Sequence, residues 1–215
     1  MNKISFAKRI GIIVLIIFIH LSAYSQRKEG YNWYFGASAG LTWNTTQNIT
    51  SPILGGGGSK ALNGLPMPLS GSSMTSQSEG VFAMSDHLGA LMFYSDGMTV
   101  WNKSHAVMTN GTGLRGHNSS TQSGIIIPYP GQLNKFIAIT VGACDQGVNS
   151  VLSYSIIDMN SGLGMVELAT KNTLLTGHRG QLDEQVAAVK HTNGTDYWII
   201  APGKGSGQNS VLNVW

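Results

Sequence analysis

Residues 79–102 read EGVFAMSDHLGALMFYSDGMTVWN, and three strand-like runs follow one another within them. Val81–Met84 is short and apolar and runs into Ser-Asp-His-Leu-Gly. Leu91–Tyr94 is more aromatic and runs into Asp96-Gly97, and Thr99–Trp101 follows at once. Short runs of β-branched and aromatic residues punctuated by Gly, Asp and Asn predict consecutive antiparallel strands rather than a helix. The same order returns twice. TQSGIIIPYPG (121–131) and EQVAAVKHTNG (184–194) match EGVFAMSDHLG (79–89): a polar start, a short apolar strand, and a turn closing on Gly at the same distance. A second strand then follows at Leu91–Tyr94, Phe136–Thr140 and Tyr197–Ile200, and a third at Thr99–Trp101, Val151–Ile157 and Val211–Trp215. From Glu79 to Thr121 to Glu184 the units start about 42 and 63 residues apart, an irregular period with insertions.

One small antiparallel sheet cannot bury both faces alone. Sheets stacked face to face around an axis cover each other and leave only short edges. The predicted fold is therefore all-β and β-propeller-like, incomplete, with about three to four blades of four antiparallel strands. A β-sandwich of successive hairpins is the alternative. Asn32–Asn44 reads as one or two further strands, and residues 51–78, rich in Gly, Pro and Ser, as a long loop. Leu182–Lys190 fits a helix as well as a strand and is read as strand. The pattern stops at Trp215 within a strand, with fewer units than the roughly four to eight of closed propellers. Residues 26–215 are accordingly expected to form one domain truncated at its C-terminus.

Residues 1–25 carry a different signal. Lys3, Lys8 and Arg9 precede the apolar run Ile10–Ile19, and Ala23-Tyr24-Ser25 offers a cleavage site before Gln26. This is the pattern of an export signal, and the apolar run is short against the ~20 residues of a membrane span. The mature chain is expected to lack a transmembrane anchor. Of 13 basic residues those three precede the cut, leaving the rest balanced against 10 acids. A near-neutral chain without a basic face excludes nucleic acid as the expected partner. The single cysteine, Cys144, rules out an intrachain disulfide and reads as a small buried hydrophobe.

Four blocks carry a family resemblance: NWYFG (32–36), residues 79–102, HAVMTNGTGLRGHNSSTQSGIIIPYPG (105–131) and DYWIIAPG (196–203). They resemble the N-terminal region of large surface proteins of the Bacteroidota. Those proteins often end in a gliding-motility-associated or type IX secretion C-terminal domain, with PKD-like modules between. The resemblance implies a propeller-like β domain that is exported to the cell surface, the outer membrane or the medium. Its implied role is adhesion, surface display or protein interaction, with surface glycans or other surface proteins as partners.

Chemistry is harder to find. Ser95-Asp96-Gly97-Met98-Thr99-Val100-Trp101 resembles the sialidase Asp box with residues missing, a hairpin motif remote from catalysis. Its rival reading is a two-residue Asp-Gly hairpin turn, repeated at Asn193-Gly194. Sialidases also need an arginine cluster, and the mature chain has Arg27, Arg115 and Arg179. Glu79, Thr121 and Glu184 hold equivalent positions in the three units. If the first strands are innermost, these residues meet at one mouth of a central channel, as a polar ring for a cation or sugar. The other reading is that each carboxylate accepts backbone N–H bonds from a turn. His87, His105, His117, His178 and His191 show no metal-binding spacing and read as loop histidines. Asp158–Gly162 begins like a calcium loop but lacks the later carboxylate, so calcium is the one cofactor considered. No catalytic, cofactor or metal residue is assigned. The expected function is a non-enzymatic surface module. The alternatives are a propeller hydrolase of lactonase or glycosidase type completed by further blades, and a lectin-like module stacking loop Trp and Tyr on sugars.

Overall fold

The computed structural model describes residues 27–52, 58–77, 79–144, 151–204 and 210–215. The segment read as an export signal, residues 1–25, lies outside them. Among the described residues there is no helix, and the strands are β1 (Asn32–Tyr34), β2 (Ala39–Pro52), β3 (Ser59–Ser70), β4 (Phe82–Ser85), β5 (Leu91–Ser95), β6 (Thr99–Asn102), β7 (Val107–Thr112) and β8 (Gly124–Pro128). They continue as β9 (Lys135–Val141), β10 (Leu152–Asp158), β11 (Met165–Val166), β12 (Thr173–Leu174), β13 (Gln181–Leu182), β14 (Ala187–Lys190), β15 (Tyr197–Lys204) and β16 (Ser210–Val214).

Pairing is antiparallel between chain neighbours. β4-β5-β6-β7 is one meander; β8-β9-β10 with β11 and β12 is a second; β14-β15-β16 with β13 is a third. A single parallel bridge, Met165 to Thr109, joins β11 to β7 and links the first two meanders into one sheet. That sheet curls nearly closed, since its first and last strands, β4 and β8, lie against each other. β14 also touches β8. The first strand of each meander is thus the one nearest its counterparts.

Period-two alternation explains the packing, because successive side chains leave a strand on opposite faces. In the first meander Phe82, Met84, Phe93 and Val100 face one way, into a cluster with Ala138, Ile157 and Val166 of the second. Tyr94 and Trp101 face the other way and stack with Tyr34 of β1 and Met74. The second meander repeats the pattern. Ala138 looks back towards the first, while Ile139 and Val141 pack with Leu182, Val186, Ile199 and Ala201 of the third. Phe93 and Tyr94 are adjacent in sequence and both wholly buried, which requires a sheet covered on both sides. Gly124 permits the closest approach: a Cβ there would lie 2.7 Å from the Phe82 ring and 2.2 Å from the Ile139 carbonyl oxygen.

The expected loop over 51–78 is corrected. Residues 59–70 form β3, paired along its length with β2, and the two run out as an arm. The composition misled because β3 is an outer strand that packs little core. Pro66 and Pro68 are tolerated on it because an edge strand need not donate on both sides. Leu182–Lys190 is two short strands, β13 and β14, with an irregular link between them.

Candidate functional site

Of the three residues expected to meet at a channel mouth, the structure brings Thr121 and Glu184 together. Glu184 lies between β13 and β14 and is buried. Its Oε2 accepts the Thr121 backbone N–H and the Thr121 hydroxyl, each at 2.8 Å, and its Oε1 accepts the Cys144 N–H at 2.7 Å. Burial opposes ionisation of this carboxyl, but the Thr121 and Cys144 donors outweigh it and hold the group below the usual glutamate value. Beside it, the Gln122 side-chain amide donates to the Val186 carbonyl at 2.7 Å and accepts the Val186 N–H at 2.9 Å, imitating a strand partner. Thr121 and Gln122 are thereby fastened to the start of the third meander. Between the first and second meanders, Ser123 Oγ donates to the Gly80 carbonyl at 2.5 Å and the Gly80 N–H donates to the Ser120 carbonyl at 3.1 Å. Glu79 is exposed, and among the described residues its side chain makes no hydrogen bond or ion pair.

Cys144 is half-buried rather than a core residue. Burial and the neighbouring Glu184 push its thiol up, away from the thiolate a nucleophile needs.

The turn residues adopt a form different from a two-residue hairpin. Asp96 keeps a negative φ while Gly97 sits at +87°, and Ser95 pairs with Val100 across a longer connection. Asp96 Oδ1 accepts the N–H groups of Met98 and Thr99 at 2.8 and 2.7 Å. Asn193 does the same with Thr195 and Asp196, both at 3.0 Å, with Gly194 at φ +79°. Side-chain acceptors, rather than two left-handed residues, close these turns. Histidines serve likewise: His117 Nδ1 accepts the Ser119 N–H and His191 Nδ1 the Asn193 N–H, both at 3.1 Å. His105 Nδ1 meets the Tyr94 hydroxyl at 3.1 Å, and His87 and His178 are exposed.

In the calcium-like stretch, Asp158 accepts the Asn160 N–H at 2.8 Å and pairs with Lys135 at 3.2 Å. The Asn160 N–H, outweighing burial, and then Lys135 hold the Asp158 carboxyl below its usual value. Lys135 also bonds Glu167 at 2.6 Å, and these two carboxylates hold its ammonium above its usual value. Among the described residues no three His, Cys, Asp or Glu side chains gather as a metal site requires.

A cleft with an exposed aromatic wall lies elsewhere. In β1 and the residue after it, Asn32 and Tyr34 point inward, and Trp33 and Phe35 outward at 50% and 38% exposure. Asn32 is anchored by donating to Ser85 Oγ at 2.9 Å and the Gly89 carbonyl at 2.7 Å. Trp33 is held by its own indole N–H, which donates to the Gly30 carbonyl at 2.9 Å, by Trp43 at 4.7 Å and by the edge of Phe35 at 6.5 Å. Trp33, Tyr34 and Phe35 line a cleft of about 420 Å³ together with Phe82, Gln122 and Ile125, and all its lining residues are uncharged.

Compared with protein-family models, with curated proteins and with solved structures, the chain has no match in any of the three.

Periodicity located Glu184 and Thr121 together but passed over Trp33. Its signal was the alternation of Asn32-Trp33-Tyr34-Phe35, which puts two aromatics on the outer face once Asn32 and Tyr34 face the core.

Proposed function

We propose that the chain is an exported, non-enzymatic, β-propeller-like module serving adhesion, surface display or protein interaction. The carrying observation is the engagement of the polar groups where the repeating units begin. Both Glu184 oxygens and both ends of the Gln122 amide are committed to backbone and hydroxyl partners that join neighbouring meanders. Such groups act as fasteners rather than as acids, bases or nucleophiles. The propeller arrangement is supported by three meanders packed in chain order, face against face, with first strands nearest one another. The N-terminal sheet of β1–β3 occupies the place of a further unit, against the outer face of the first meander. Export is supported by the leader pattern and by the resemblance to Bacteroidota surface proteins. Among the described residues no helix is long and apolar enough to cross a membrane.

Incubation of the full chain with chromogenic glycosides and with lactones is expected to give no turnover above buffer. Immobilised chain is expected to retain glycan-coated or protein-coated beads. Turnover of either substrate class, lost on substituting a cleft residue, would favour the hydrolase reading instead.

A further inference from the structure

We infer that the cleft between β1 and the inner strands β4 and β8 binds a neutral glycan, with the Trp33 ring as its stacking platform. This rests on the binding-module reading above and assigns that module a ligand class and a site.

Trp33 is half exposed, yet it is fixed by a hydrogen bond and two ring contacts. A large apolar side chain held immobile at a concave surface loses little freedom when a ligand arrives. Its one polar atom is already bonded to the Gly30 carbonyl, so what it offers is its π-face. The cleft volume of about 420 Å³ lies within the usual range for small-ligand sites. Its uncharged lining gives no compensation for burying an anion or a cation, which excludes acidic sugars and nucleotides as preferred ligands. Pyranose rings combine an apolar face with hydroxyls that donate and accept. The apolar face suits Trp33 and Phe35. The hydroxyls suit the polar groups among the lining residues, which include Gln122 and Tyr34.

The test is titration of the full chain with cellohexaose, mannohexaose and N-acetylchitohexaose, followed by tryptophan emission and calorimetry. Sialyllactose and oligogalacturonate serve as anionic comparators. At least one neutral hexasaccharide is expected to bind and shift the emission. Trp33→Ala weakens that binding by about tenfold or more, the scale of losing an aromatic stacking partner. Trp33→Phe retains part of it, and Trp198→Ala, removing an exposed Trp on β15, leaves it unchanged. Melting curves of the exposed-site variants are expected to overlay that of the parent. Failure of all three neutral sugars to bind, equal binding by the anionic ones, or undiminished binding by Trp33→Ala would overturn the inference. If the sugars fail while protein-coated beads are still retained, the glycan site falls and the module reading stands. If the bound hexasaccharide is cleaved, and Trp33→Ala slows cleavage, the site stands and the non-enzymatic reading falls.

Discussion

Glu184 receives three hydrogen bonds from two separate segments, so its carboxylate acts as a clasp between the second and third meanders. Its folded-state carboxyl is held below the ordinary glutamate value. The stabilisation is therefore fully present above about pH 4.3, the unfolded value, and is lost as pH falls through the lower folded value. Glu184→Gln keeps the shape but turns one acceptor into a donor facing donors. It is expected to cost about 1–3 kcal/mol at neutral pH, with the difference narrowing in acid; urea unfolding of both forms at neutral and acidic pH measures this. Sequence register put Glu184 level with Glu79 and Thr121, and two of the three do meet. Glu79 does not, because where the first unit meets the second the junction is fastened by Gly80 and Ser123 instead.

At the scale of elements, strands with two covered faces were the most readable, since Phe93-Tyr94 and Phe136–Ile139 are apolar without a break. The β2–β3 arm was read least well. Beyond the irregularity between Thr42 and Thr46 each strand has the other as partner, and most side chains are exposed or half-buried. Burial selects no alternation there, and Gly, Pro and Ser look like loop. A two-stranded ribbon is marginal in water unless packed on something. The amides of Gln47, Ile49, Leu62 and Leu65 are accordingly expected to exchange with solvent faster than those of β9 and β10, as hydrogen-exchange mass spectrometry would resolve. Equal protection would mean that the arm is supported by contacts beyond those described.

For the whole molecule the decisive strand is β9. Ala138 packs into the cluster shared with the first meander, and Ile139 and Val141 into the cluster shared with the third. Both clusters therefore depend on one strand, and the three meanders should unfold together. Ile139→Ala and Phe93→Ala remove wholly buried side chains from different clusters. Each is expected to lower stability by roughly 2–5 kcal/mol while leaving one transition, coincident by circular dichroism and tryptophan emission. A second transition in either variant would show that the sheets melt separately. The repeat made this order of units legible in advance. The parallel bridge of Met165 to Thr109 was not, because a contact between outer strands of different units leaves no periodic trace.

The turn at Asn193 also bears on how the molecule ages. Asn-Gly sequences deamidate when the glycine nitrogen attacks the side-chain carbonyl to form a succinimide. Here the Gly194 N–H is bonded to the His191 carbonyl at 3.0 Å, and the Asn193 carbonyl is held by Thr195 and Asp196. The same bonds that shape the hairpin keep nucleophile and electrophile apart. At Asn63-Gly64, exposed on the arm, the Gly64 N–H donates to the Asn48 side-chain carbonyl at 3.1 Å, but among the described residues nothing clamps the Asn63 side-chain carbonyl. Peptide mapping after mild alkaline storage should find Asn63 converted well before Asn193, and that order should vanish in denaturant, making the ratio of the two lesions a clock for time spent folded.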